Sequence, residues 1–284
     1  MIIYLSVYIV LLCVAFFEFF DDRVTNHYLK LTLFVTVILY LLVLTGSRFE
    51  VGADFSSYLN IFNRVNTLAE GAAYSSLEPG FKLIILFFKG LNFPPYLLFF
   101  VFAAILFTFL GKGLYRSSKL PFLSLFIFVM VFWIGYVFNV LRQGIAMAIL
   151  IYLIKDIHER NFKKVLFFSL VASTIHFTGV FILIGYFIYP LFLRQSVFIG
   201  MTLMSIVYYL NSMVFFDLIA SLLPGGFQAK LIDYMSRFPG GVDLTSYLLR
   251  LIILGIFLWF YKSLENEKQK ESAENTGKMC ENVY

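Results

Sequence analysis

The stretch K-VLFFSLVASTIHFTGVFILIGYFIYPLFL-R, residues 164–194, holds 29 residues with no formal charge between two cations. A helix crosses about 30 Å of hydrocarbon with about 20 apolar residues, so this run is too long for one crossing and too short for two complete ones. Ser173, Thr174, His176 and Gly179 interrupt it near its middle. The spacing predicts two short helices, or a re-entrant pair, with His176 at the tip. Irregular backbone at membrane depth is tolerable only where it lines a protein-enclosed cavity.

The rest of the chain agrees with a membrane setting. Of 284 residues, 61% are hydrophobic, 20% aromatic and only 14% charged, which fits a polytopic membrane protein and no soluble domain. Met1 to Phe20, Leu29 to Thr45, Tyr96 to Leu110, Pro121 to Gly135 and Leu244 to Tyr261 approach or reach spanning length. The predicted fold is all-α, a polytopic helical bundle of about 8 to 10 membrane segments. Residues 1–263 form one transmembrane domain with extracytoplasmic loops at 47–80 and 213–243, and 264–284 form a disordered cytoplasmic tail. No Lys or Arg precedes Arg23, so the basic start of a secretory signal is missing and the first run is expected to stay as a span. Cys13 and Cys280 sit in different surroundings, and neither a disulfide nor a metal is expected.

Charge placement predicts the orientation. Of 22 Lys and Arg, 14 fall in five short segments: Arg23 and Lys30; Lys112, Arg116 and Lys119; Lys155, Arg160, Lys163 and Lys164; Arg194; and Lys262, Lys268, Lys270 and Lys278. The positive-inside rule places all five in the cytoplasm, with the N-terminus outside and the C-terminus inside. Both ends of the 164–194 run are then inside, which is why it must turn back. Phe81 to Phe93, ahead of Pro94 and Pro95, is short as well and is expected to dip in from outside. The net charge of +5 follows from membrane orientation and not from a nucleic-acid surface.

Against this background the charged and polar islands mark a site, because a bilayer tolerates such residues mainly where they face protein or water. They are GSRFEVGADFSSY at 46–58, NVLRQ at 139–143 and STIHFTG at 173–179. Arg48 follows the second span. Arg142 opens a span expected from Tyr136 to Lys155, where Asn139, Arg142, Gln143 and Ala146 would share a stripe. Each residue also has a plainer role. Arg142 can snorkel to the interface. Asp54 can cap the helix that carries Tyr58, Ile61 and Phe62. His176 can be a neutral core imidazole or a proton carrier. Glu78, at the Pro79-Gly80 turn, can be a solvated carboxylate. Lys230, Asp233 and Tyr234 share a face of AKLIDYM that is either interfacial or ligand-facing, and Arg250 is a further candidate for a cavity wall or a snorkelling cation.

No G-x-S-x-G, Walker A, H-E-x-x-H, C-x-x-C pair or D-x-D is present. What the polar set offers is guanidinium groups, which bind phosphate bidentately, together with carboxylates and an imidazole for proton transfer. An amphiphile with a lipid tail and a phosphate-bearing head fits such a set. A lipid-linked oligosaccharide flippase would need a similar cationic cavity but more often shows two related halves. A membrane acyltransferase would use an intramembrane His, although no second His or Asn accompanies His176 at helical spacing.

The runs RFEVGADFSSY, LEPGF, NVLRQGIA, ASTIHFTG and KLIDY, in that order over most of the chain, resemble the EpsG family of bacterial exopolysaccharide and O-antigen polymerases, the Wzy-type enzymes. Two departures stand out: a C-terminal end shorter than that family's usual one, and Phe177-Thr178 in place of a small Ser-containing pair. The resemblance implies a fold like that of GT-C-like membrane glycosyltransferases and a metal-independent, inverting glycosyltransferase of the bacterial inner membrane. It would transfer a growing glycan from undecaprenyl diphosphate to the next lipid-linked repeat unit on the extracytoplasmic face, with no cofactor. Carried onto this chain, Arg48 and Arg142 would hold the diphosphate, with Gln143 and Lys230 assisting and Tyr58, Asn139 and Tyr234 completing the glycan site. Asp54, Glu78 or His176 would be the base. A flippase and a chain-length regulator would be partners, beside the membrane lipid, and no nucleic acid.

Overall fold

The computed structural model describes residues 2–20, 27–52, 54–67, 77–192 and 195–210, and the single positions 218, 221, 228, 232, 248 and 251 beyond them. Two compact units make up the chain, Met1–Leu193 and Arg194–Tyr284. Among the described residues the secondary structure is wholly helical. The first unit contains α1 (Ile2–Phe20), α2 (His27–Gly46), α3 (Phe55–Arg64), α4 (Pro79–Gly90), α5 (Leu97–Ser117), α6 (Pro121–Phe128), α7 (Leu141–His158), α8 (Phe162–Ile175) and α9 (Val180–Phe192). A π segment, Val129–Asn139, continues α6, and a single 3-10 turn, Phe177–Gly179, joins α8 to α9. In the second unit, α10 is Gln195–Leu210. Apart from positions 248 and 251, the expected span Leu244 to Tyr261 lies outside the described residues.

Three helical stretches among the described residues are long and apolar enough to cross a membrane: His27–Gly46, Leu97–Ser117 and Pro121–Asn139. Their outer faces carry large exposed apolar side chains such as Leu39, Val43, Phe100, Ile127 and Val131, the surface a lipid-facing helix needs. Inside, α5 packs against both α2 and α7, and α1 packs against α6. Small residues set the closest approach. A Cβ on Gly113 of α5 would lie 2.7 Å from the Tyr152 backbone of α7, so only glycine lets these two helices meet.

Buried charges fasten the bundle. Glu18 Oε2 accepts the N–H groups of Phe122 (2.9 Å) and Leu123 (3.0 Å) at the start of α6, and Glu18 Oε1 pairs with Lys30 at 2.8 Å. The first amides of a helix lack intrahelical partners, so a carboxylate on a distant helix supplies the missing acceptor. Far from it in sequence, Asp156 of α7 takes two hydrogen bonds from Arg116 of α5 (2.6 and 3.2 Å) and two from Lys164 of α8 (3.1 and 3.0 Å).

The 164–194 run forms the expected pair of short helices, α8 and α9, with His176 between them. His176 is extended (φ −150°, ψ 132°), which ends α8. Ser169 Oγ donates to the Gly179 carbonyl at 2.8 Å, and a Cβ on Gly179 would collide with the backbone of Ala172 and Ser173, so the turn is tight. The short segment after Glu78 is α4, whose 12 residues measure about 18 Å. It packs against α8. The helix expected from Tyr136 to Lys155 differs: it breaks at Val140 (φ −120°, ψ 56°) and starts anew at Leu141, so Asn139 ends the π segment and does not share the α7 stripe.

Candidate functional site

Arg48 causes that break. Its side chain is only 5% exposed, and its Nη1 donates to the carbonyls of Val137 (3.0 Å) and Phe138 (2.8 Å). In an uninterrupted α-helix these oxygens would accept the N–H groups of Leu141 and Arg142. With Arg48 occupying them, the helical pattern is interrupted at Val140 and α7 begins at Leu141. The rings of Phe99 and Phe138 lie 4.7 and 5.3 Å from the guanidinium carbon, which supplies cation–π stabilisation to the enclosed charge.

Two further contacts fasten the end of α2 to the π segment. Trp133 Nε1–H donates to Thr45 Oγ1 at 3.0 Å, with both side chains buried. Gly52 has φ +100°, and a Cβ there would overlap the Phe138 carbonyl oxygen. Gly52→Ala is therefore expected to cost about 1–3 kcal/mol of stability from backbone strain alone, read as a lower thermal midpoint in detergent. An unchanged midpoint would show that the loop yields freely.

Arg142 stands in the first turn of α7, directly after this fastened corner. Its Nη1 meets Glu78 Oε2 at 2.5 Å, and its guanidinium carbon lies 4.5 Å from the Phe81 ring and 5.9 Å from the Tyr58 ring. Arg142 Nε is buried with no hydrogen-bond partner among the described residues. Glu78 ends the connection into α4, where Pro79 occupies the first helical turn and Gly80 packs against Thr174 of α8. Glu78 Oε1 accepts the Phe177 N–H at 3.1 Å, so one carboxylate joins α7 to the tip between α8 and α9. Tyr58 of α3 is buried, and its hydroxyl lies 3.4 Å from the Arg142 amide nitrogen.

Asp54 stands at the N-cap position of α3 but makes no side-chain capping bond. Burial holds its carboxyl above the ordinary value, against the opposing pull of Arg142 and then Arg48. The structure thus gathers Arg48, Asp54, Tyr58, Glu78, Arg142 and His176 from separate parts of the chain at one end of the first unit.

The profile of the EpsG family matches residues 31–284 of the chain. The chain belongs to the EpsG family. No curated protein and no solved structure matches it. EpsG proteins are Wzy-type polysaccharide polymerases, so this is a membrane protein with polymerase activity of the glycosyltransferase kind.

In this EpsG protein the tautomer of His176 follows from its partners. Its Nδ1 accepts the Thr178 N–H at 3.3 Å and lies 2.8 Å from Thr178 Oγ1. A neutral imidazole whose Nδ1 accepts carries its proton on Nε2, so Nε2 is a donor. With Tyr136, Ala146, Met147, Thr178 and Phe181, Gln143 lines a groove of about 350 Å³ between α7 and α9. Lys230, Tyr234, Asp233 and Arg250 lie outside the described residues. Among the described residues, no three His, Cys, Asp or Glu side chains gather as a metal site.

Some members of the site were not singled out from sequence. Phe81 and Phe99 supply the rings beneath the two arginines, and Thr45, Gly52 and Trp133 hold the corner before α7. Aromatic side chains are too common in this chain for any one to signal a role. Gly52, between two charged residues in an otherwise apolar sequence, was the readable cue.

Proposed function

We propose that the chain polymerises a bacterial surface polysaccharide, O-antigen or exopolysaccharide, from undecaprenyl-diphosphate-linked repeat units on the extracytoplasmic face of the inner membrane. The observation that carries this reading is Arg142: a partly buried guanidinium with an unpartnered Nε, held by Glu78 and placed beside Asp54. As the glycosidic bond to the diphosphate breaks, negative charge builds on the leaving oxygen, and a preorganised cation in a low-dielectric site stabilises it. Arg142 holds that diphosphate. Arg48 acts through the Val137 and Phe138 carbonyls as a positioning residue, fixing where α7 begins.

The acceptor is a hydroxyl at the non-reducing end of the next lipid-linked repeat unit. Its oxygen attacks the anomeric carbon as the diphosphate departs, which inverts the configuration in one displacement. Asp54 takes the proton, because Glu78 is engaged by Arg142 and Phe177 while His176 presents a donor. Gln143 assists Arg142 with the diphosphate, and the groove it lines between α7 and α9 would take the polyprenyl tail. Tyr58, Asn139, Lys230 and Tyr234 complete the glycan-binding set, with no metal or cofactor, in a GT-C-like arrangement served by a flippase and a chain-length regulator.

Full-length protein reconstituted with undecaprenyl-diphosphate-linked repeat units should give a ladder of products at multiples of the repeat. Single repeats only, with the protein intact in the vesicles, would overturn the proposal. In cells, deletion should remove long chains while single surface repeats remain; loss of all surface repeats would point to a flippase instead.

A further inference from the structure

The same bundle carries a second, unrelated cavity. A lateral pocket of about 520 Å³ opens between α2 and α5, walled by apolar side chains such as Phe34, Ile38 and Phe107. Gly111 and Ile38 both line it, and a Cβ on Gly111 would press on Ile38 at 3.3 Å. One end of the pocket is polar and carries Lys112, Tyr115 and Arg116. Phe99, which lies under Arg48, stands 8 positions before Phe107, where the pocket begins on this helix, and 13 before Lys112 at its polar end, about 12 and 20 Å along the axis, so the polar end is remote from the site of Arg142.

The two cations at the polar end differ in what they have left to offer. Arg116 is committed to Asp156 by two hydrogen bonds, with Glu159 at 3.8 Å, and Asp156 is further neutralised by Lys164. Lys112 is exposed and has no carboxylate within ion-pair distance among the described residues. Its charge therefore stands at the polar end of an apolar slot.

We infer that this pocket binds one acyl chain of an anionic phospholipid, with Lys112 holding the phosphate of its headgroup. The slot supplies apolar burial for any lipid, and the unspent cation supplies the choice among headgroups. A basic residue near a membrane surface favours an anionic lipid about five-fold.

The test is native mass spectrometry of the full chain in mild detergent, titrated with phosphatidylglycerol or with phosphatidylcholine bearing the same acyl chains. Phosphatidylglycerol should bind about five-fold tighter. Lys112→Glu, at an exposed position that leaves the core untouched, should abolish or reverse that preference. Thr108→Trp, which fills the pocket from another exposed lining position, should weaken both lipids together. Equal binding of the two lipids by the unmodified protein, an undiminished preference in Lys112→Glu, or unchanged binding in Thr108→Trp would each overturn the inference.

Discussion

Lysine in place of Arg142 is expected to lower polymerisation about a hundredfold or more while the protein still inserts. The substitution keeps the charge, so the cost of placing a cation in this part of the bundle is unchanged. It removes the planar fork, which in one side chain now meets Glu78 through Nη1, stacks near Phe81 and leaves Nε free. An ammonium is a compact point charge on a flexible stem and cannot make these contacts at once. Loss of a single preorganised donor to developing negative charge typically costs 10²–10³ in turnover. The measurement is the initial rate of ladder formation in vesicles, normalised to inserted protein. A fully active Arg142→Lys would remove Arg142 from the chemistry and leave the proposed function without its principal support.

Asp54→Asn separates two roles that share one position. Asparagine is as good as aspartate at a helix N-cap, and Asp54 makes no capping bond in any case, so α3 should stay in place. Asparagine cannot accept a proton. If Asp54 is the base, the rate should fall by about 10²–10⁴-fold with lipid-linked substrate still bound. The pH profile adds a second readout. Burial pushes this carboxyl up, and only the ionised form is a base, so activity of the unmodified protein should be lost as pH falls through a value above the usual carboxylate range. The residual rate of the variant should be flat over that interval. Activity retained in Asp54→Asn, or an unmodified acid limb that persists in it, would take the base away from Asp54.

Much of this arrangement is legible in the amino-acid sequence, for one physical reason: charge and irregular backbone are expensive in lipid, so their positions are informative. The turn at His176 and the short α4 were both legible as apolar runs of the wrong length for a simple crossing. The sequence also named Arg48, Asp54, Glu78, Arg142 and His176 as one set, and they do lie together. It could not distinguish the two arginines. Each is a lone cation beside polar neighbours, and only the fold reveals that Arg48 donates to two backbone carbonyls while Arg142 meets the Glu78 carboxylate.

The break at Val140 was hidden for a related reason. Residues 129–139 read as ordinary apolar helix, and what ends it is a guanidinium 89 positions earlier in the chain, together with Gly52. Periodicity reports the local helix preference of a segment and carries no information about a distant donor that competes for its carbonyls. Asn139 was assigned to the Arg142 stripe on that periodicity and falls off it.

Glu18 places a condition on how the protein is made. The amides of Phe122 and Leu123 that satisfy its carboxylate are synthesised about a hundred residues after it. Among the described residues, Lys30 is the cation that pairs with it before α6 is made. Completion of the sixth helix is thus the moment at which the first one becomes secure.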